Sequence, residues 1–298
     1  MARKFTRKRW RRPQRLRLDE TPVVRRKDMA VLTILPIGPQ EAWPENRRRI
    51  IGLLVLFLAV CALEGAAVAA TPLAWWTGLF PPVFGLLYLA GGARWGDAWI
   101  QRALGAAGHD SPQLLGQIKA LAARISMDVP DLLVAPGETP NAFGFGLRRK
   151  WIVTTAGASS LGLLEAEAML AHEIVHLRDG DATVSSVYVL LAGAADVVVK
   201  AMGAPAGVVA LLSIPVWPAC LVVRVLGARA FPRDREHRAD VAAALLTRYP
   251  PAVGKLLSGV PREQAGSPLG ATDRFWLAPR AAGPGMTVDE RTAAIGEM

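Results

Sequence analysis

The sequence predicts an α+β fold, predominantly α with a small sheet, combined with helical transmembrane hairpins. Three observations carry that prediction. The 298 residues are 52% hydrophobic and 20% charged with a mean hydropathy of +0.27, too apolar for a disordered chain and unusual for a purely soluble one. Four long apolar runs supply the excess, in two pairs that flank a polar stretch at residues 94–181. Within that stretch, segments with helical spacing alternate with short extended ones, and these give the sheet.

Residues 1–49 hold 15 of the 35 Lys and Arg and 5 of the 25 Asp and Glu, so the entire +10 sits in that segment. It has no sustained period and little apolar area to offset the entropy of ordering, which predicts a basic, disordered arm. Met29 is a second candidate start within it. A basic excess on a folded domain would point to nucleic acid. Confined to a tail beside apolar sequence it points to a membrane anchor, and no nucleic-acid partner is expected. Cys61 and Cys220 both lie in apolar runs, which excludes a disulfide framework and a cysteine-rich metal site.

A helix rising about 1.5 Å per residue needs roughly 20 residues to cross the hydrocarbon. Ile50 to Ala70 is long enough and has a single charge, Glu64. Its Ala67-Val68-Ala69 resembles a signal-peptidase site, but the leader before it is too long for a signal peptide, so a retained span is expected. Pro72 to Ala93 is uncharged and has Trp75 and Trp76 near one end and Trp95 and Trp99 beyond the other, the aromatic belts of a spanning helix. Residues 50–93 are therefore read as two transmembrane helices. Ala182 to Val199 and the proline-bearing Ala201 to Val223 give a second pair over residues 182–223; a buried or re-entrant hairpin is the alternative for these two.

The polar stretch reads as the first part of a folded catalytic body, with residues 224–298 as its second part. Gln113 to Ile125 has helical spacing, Leu132 to Ala135 reads as a strand, and Asn141 to Leu147 and Trp151 to Thr155 are extended segments joined through Arg148-Arg149-Lys150. A helix beginning near Leu163 then carries His172-Glu173-Ile174-Val175-His176, an HExxH motif. Residues four apart lie one turn apart on one face, so both imidazoles can reach a single ion while Glu173 holds a water beside it. Two of the four histidines in the chain fall in this motif, which argues against accident. A hydrolytic site of this type needs a third protein ligand and an open fourth position. Arg233 to Asp240 offers one: Glu236 and Asp240, again four apart, put two carboxylates on one helix face.

With those residues in order, the chain resembles the HtpX-type membrane zinc metallopeptidases, a family that also includes the CAAX prenyl protease. The resemblance covers roughly residues 70–248 and rests on Asn141, Ala142 and Phe143; on Thr154 and Thr155; on HExxH followed by Asp181; and on Arg233, Glu236, Ala239 and Asp240. Thr287 to Arg291 looks like the family's closing helix, with Gly-Pro in place of the usual His-Pro. The resemblance implies a zincin-like catalytic domain in which His172, His176 and Glu236 ligate one Zn²⁺ and Glu173 is the general base. It also implies that Asp181 and Asp240 hold the outer ring nitrogens of the histidines, without saying which serves which. His237 reads as a surface neighbour of a ligand and His109 as a loop residue. Asn141, Ala142 and Phe143 form a candidate strand, exposed near the metal, for an extended substrate; an ordinary core hairpin is the alternative.

The ligands are separated by the third and fourth runs, so both of these cross the bilayer or neither does. Arg47 to Arg49, Arg94, Arg102 and the arginines from Arg224 to Arg238 fall on one side of a four-crossing arrangement, which the positive-inside rule makes cytoplasmic; only Lys200 is assigned outside. The reading is thus a multi-pass zinc endopeptidase of the plasma (inner) membrane, acting on unfolded or membrane polypeptides in quality control, with its active site in the cytoplasm. An inactive membrane adaptor of the same fold and a prenyl-protein-type protease are the alternatives.

Overall fold

The computed structural model describes residues 43–72, 74–108, 111–203, 205, 207, 214–232, 234–259, 270–277 and 287–296. Most of the basic arm expected over residues 1–49, with Met29, lies outside these residues, as do His109 and Arg233. The arm's last part is different. Residues 43–49 are the first two turns of a helix, α1 (Trp43–Ala69), which starts ahead of the apolar run because Pro44 at its opening and Glu45 in its first turn both favour a helix start.

After a short 3₁₀ turn (Trp75–Leu79), α2 (Phe80–Ala103) returns beside α1. The backbones of α1 and of the 3₁₀ turn touch at Gly65 and Gly78, where a Cβ on either would sit 2.3–2.4 Å from the other's carbonyl oxygen. The predicted second run therefore starts its α-helix at Phe80, with Pro81 and Pro82 in the first turn where a missing N–H costs nothing, and runs ten residues past Ala93 into polar sequence.

Strand β1 (Ala107–Gly108) leads to α3 (Pro112–Arg124), capped by the Ser111 hydroxyl, which accepts from Leu114 N at 3.4 Å. Strands β2 (Asp131–Ala135), β3 (Ala142–Phe145) and β4 (Trp151–Thr155) complete a sheet of order β1-β2-β4-β3, in which β2 and β4 are parallel and the outer pairs antiparallel. Side chains alternate between two cores. Leu133, Val153 and Phe143, adjacent in register, face a core built with α1, α2 and the helices after the metal motif. Leu132, Ile152 and Ala142 face a second core with α3, α4 (Leu163–Asp179), α8 (Arg235–Thr247), α9 (Pro250–Gly259) and α10 (Val288–Gly296).

The third run is not one long helix. It is α5 (Asp181–Ala192), a break at Gly193, and α6 (Ala194–Met202). At 12 residues α5 is about 18 Å long, too short to span, and ten of its residues are buried. It is the core helix that the sequence left as an alternative, packed among α1, α2 and α7 (Trp217–Leu226). Of the fourth run, residues 201–203, 205, 207 and 214–223 are described; Ala201 and Met202 end α6, and Pro215 and Pro218 open turns of helix. One described helix, α1, is long and apolar enough to cross a membrane, and the bent pair Ile214–Ala230 with Arg235–Thr247 passes the same test only if taken together.

Candidate metal centre

Helix α4 buries one face against the second core through Ala168, Met169, Ala171 and Ile174, which turns His172 and His176 toward α8. There His172 Nε2 lies 3.2 Å from Glu236 Oε2, His176 Nε2 is 3.1 Å from His172 Nε2 and 3.7 Å from the same carboxylate oxygen. Among the described residues, these three side chains form the one group whose ligand atoms lie within 4.8 Å of one another in a manner that could hold a metal ion. Both imidazoles are buried, 1% and 3% exposed.

The outer ring nitrogens settle the pairing that the sequence left open. His172 Nδ1 is 2.9 Å from Asp240 Oδ1, and His176 Nδ1 is 3.3 Å from Asp181 Oδ2. A carboxylate beside each outer nitrogen favours, in the neutral rings, the tautomer that leaves Nε2 facing inward, although at His172 the contact is an ion pair without hydrogen-bond geometry. Glu173, 1% exposed, accepts a 2.6 Å hydrogen bond from Gly144 N on Oε2, while its Oε1 is buried without a partner. Two imidazoles and a carboxylate converging on one point, with a second carboxylate alongside, fit a single divalent ion and a water.

Electrostatics follow from burial and from these pairs. Burial pushes the Glu173 carboxyl up. It works against charge on His176 as well, and Arg235 opposes it further, yet Glu236 and Asp181 raise that imidazole to about 9; Asp240 and Glu236 likewise raise His172. Burial also disfavours the Asp181 anion, but His176, Arg235 and Asn46 outweigh it and hold that carboxyl at about 2. Glu236 is held well below the ordinary range, against its burial, by Arg235 and the two imidazoles.

Three residues at the site were not singled out from sequence. Arg235 is buried, 3.1 Å from Glu236 Oε1, bonded to Ser185 Oγ at 3.3 Å, and stacked over Phe231 and Phe275. Arg291 on α10 donates to both oxygens of Asp240, at 2.6 and 2.8 Å, and to the Leu277 carbonyl at 2.9 Å. Asn46 on α1 donates to Asp181 Oδ1 at 2.9 Å. The only sequence signals were arginines and an asparagine at helix starts, which ordinarily mark solvated faces or caps. His237 is half-buried and stands outside the ligand group.

The expectation of an exposed strand at Asn141, Ala142 and Phe143 is corrected. All three residues are buried, and Phe143 packs on Phe145, Phe275 and Trp276, because the hairpin is the floor on which both cores meet. The strand is nonetheless an edge strand beside α4. Its outward groups have local partners: Ala142 O accepts from Leu277 N at 2.9 Å, Gly144 N serves Glu173, and Gly146 N donates to Ser186 Oγ at 2.8 Å.

Residues 109–257, half of the chain, match the family model described as Peptidase family M48. Among curated proteins the chain is 26% identical over 196 residues to the "Protease HtpX homolog" of Nostoc sp. (strain PCC 7120), covering 59% of this chain and 66% of that one. It is 29% identical over 219 residues to "Protease HtpX homolog 2" of Methanosarcina mazei, covering 63% and 73%, and 28% identical over 180 residues to the "Protease HtpX homolog" of Methylibium petroleiphilum, covering 55% and 62%. The chain thus spans slightly less than two thirds of the Nostoc and Methylibium relatives. No solved structure is a significant match. The matched residues contain the whole HExxH helix, Asp181 and the Glu236 to Asp240 box, and on that match the chain belongs to peptidase family M48.

Proposed function

We propose that the chain is a membrane-embedded, zinc-dependent endopeptidase in which His172, His176 and Glu236 are the metal ligands and Glu173 is the general base. The observation that carries this reading is the convergence of two imidazole Nε2 atoms and one carboxylate oxygen, with each imidazole backed by its own aspartate. Zinc suits that ligand set, and three protein ligands leave a fourth position open. A bound zinc ion would supply Lewis acidity, lowering the pKa of a water to about 7 and polarising a peptide carbonyl. Glu173 moves the proton: its unpartnered Oε1 takes it from the attacking water and delivers it to the leaving amine, while Gly144 N fixes the other oxygen. Burial raises this carboxyl toward the range where such transfer is efficient.

The substrates are polypeptides that can become extended, namely unfolded or membrane proteins, pairing with the β3 edge beside Glu173. Such pairing requires the Leu277 N–H to withdraw from Ala142 O. Membrane placement is supported by α1 and by apolar side chains left outside the fold, among them Val55, Leu63, Leu86, Leu87, Leu221 and Val225. Both ends of the α1–α2 hairpin reach the peptidase body: Asn46 bonds Asp181, and Asp97 on α2 accepts from the backbone N–H groups of Leu147, Arg148 and Arg149. That supports a hairpin which leaves and re-enters on the side of the site, with Arg47 to Arg49, Arg94 and Arg102 at that end making it cytoplasmic.

The test is metal analysis of the detergent-purified chain together with cleavage of an unfolded reporter, wild type beside Glu173→Gln. Both are expected to carry one zinc, and the variant to lose cleavage by about 10²–10⁴-fold. Equal cleavage by the two would remove Glu173 from the mechanism. Zinc without cleavage in either would leave the adaptor reading.

A further inference from the structure

We propose that Asn46, in the first turns of the apolar helix α1, is a positioning residue for the metal site: it holds Asp181 where that carboxylate orients the His176 imidazole. The inference rests on the reading of His172, His176 and Glu236 as metal ligands.

Asn46 is 0% exposed, and its amide makes three hydrogen bonds, using both donor hydrogens and its oxygen. Its Oδ1 accepts from Arg49 at 2.7 Å, and its Nδ2 donates to the Asp179 carbonyl at 2.8 Å and to Asp181 Oδ1 at 2.9 Å. The Arg49 contact assigns the amide, because a guanidinium needs an acceptor and the two remaining partners can only accept. Asp181 is therefore gripped on both oxygens, Oδ1 by Asn46 and Oδ2 by His176. A second contact docks the same turn of α1: Trp43 lies over Gly180, close enough that a Cβ there would stand 2.7 Å from its ring. Gly180 has φ +78° and forms the corner that brings Asp181 back toward His176, so Trp43 and Asn46 clamp the corner from outside. An apolar residue at 46 would leave a buried carbonyl and a carboxylate oxygen short of a donor. A carboxylate at 46 would set like charges against each other. The segment entering the bilayer thereby becomes part of the metal site, although it lies well before the matched residues 109–257.

The full chain in detergent is stripped of metal and titrated with zinc against a competing chelator, and separately loaded with cobalt to read its visible absorption. Asn46→Ala is expected to weaken zinc binding by about 10-fold or more and to change the cobalt spectrum, and Asn46→Asp to weaken it further. Arg48→Ala, exposed on the same turn, is expected to stay at the wild-type affinity. If Asn46→Ala does not fold, Asn46→Gln, which keeps the amide but displaces it, is read by the same two measurements with the same direction expected. Wild-type affinity and spectrum in a folded Asn46 variant overturn the proposal, as does an equal loss in Arg48→Ala. A wild-type chain that takes up no zinc overturns the metal reading and this inference together.

Discussion

Asp240 and Arg291 are both 0% exposed and each is the other's closest opposite charge, with His172 and Glu236 beyond them, and Asp240 in turn lies against the ring of His172. Removing one partner of a buried pair strands the other, at a cost of about 3–5 kcal/mol. Arg291→Met is therefore expected to destabilise the protein by that order in denaturant melts, and Arg291→Met combined with Asp240→Asn to recover part of the loss; an Arg291→Met variant as stable as wild type would show that Asp240 is compensated by something else. Protonation at the site carries a second prediction. In the metal-free protein the His176 ring, raised from 6.5 to about 9, gives stability that is fully present below about pH 6.5 and fades as pH rises through about 9. Metal ligation needs the neutral ring, so on the proposed zinc reading, binding at pH 7.5 is expected to expel the proton from His176. Calorimetry in buffers of different ionisation enthalpy is expected to show about one proton released from His176 per zinc at pH 7.5, with the release falling as pH rises through about 9. Release that does not change with pH would mean that the imidazoles are already neutral.

At the scale of elements, the α4–α5 corner and the β3 edge decide how the ligands meet their surroundings. Gly180 at φ +78° sits under Trp43, so Gly180→Ala pays for both a left-handed backbone and a displaced indole. A loss of about 1–3 kcal/mol is expected, together with weaker zinc binding, because the corner carries Asp181; unchanged melting would show that the backbone relaxes without strain. On the other side of α4, an extended peptide inhibitor that occupies the β3 edge is expected to speed hydrogen exchange at the Leu277 amide by freeing it from Ala142 O, and slower exchange there would place the peptide elsewhere. These elements also show what the sequence could and could not reveal. His172, His176 and the Glu236–Asp240 pair were legible because an i,i+4 spacing fixes a shared helix face whatever else the fold does. Strands β2 and β4 were legible from short apolar runs bounded by turns, with the observed ends within a residue or so. Asn46 was not, and Arg291 was noticed only as the end of a segment resembling a closing helix, since their partners lie more than 50 residues away in the chain and no local period announces such a contact. The third run failed for a different reason: an apolar stretch reads alike whether its neighbours are lipid or protein, and only the break at Gly193 and the packing around α5 separate the two.

For the molecule as a whole, the proposed membrane placement and the proposed ligands constrain each other. Asn46 at the start of α1 and Asp97 within α2 both bond to the peptidase body, and His172 and Glu236, on either side of helices α5–α7, meet in one site. Each intervening segment must therefore return to the face it left, which permits only paired crossings or none. On the proposed reading the first pair is α1 with α2: α1 is 27 residues long and is the one described helix that by itself is long and apolar enough to cross, α2 runs back beside it, and the turn between them carries Trp75 and Trp76, both exposed, while no charge falls between Gly65 and Ala93. A charge-free, Trp-bearing turn at the far end and a cluster of arginines at the near end are what the proposed membrane hairpin, with its tip at the opposite interface, would require. On the same reading, the net charge of +10 would favour the face that carries anionic lipid. Single cysteines at Thr71, in the turn, and at Arg148, in the β3–β4 connection, read the arrangement directly, because the native Cys61 and Cys220 are buried and contribute little background. In sealed cells a membrane-impermeant thiol reagent is expected to label Thr71→Cys and to reach Arg148→Cys only after permeabilisation. Labelling of both from outside, or of neither, would show that the α1–α2 hairpin does not cross and that the apolar belt covers something other than a bilayer.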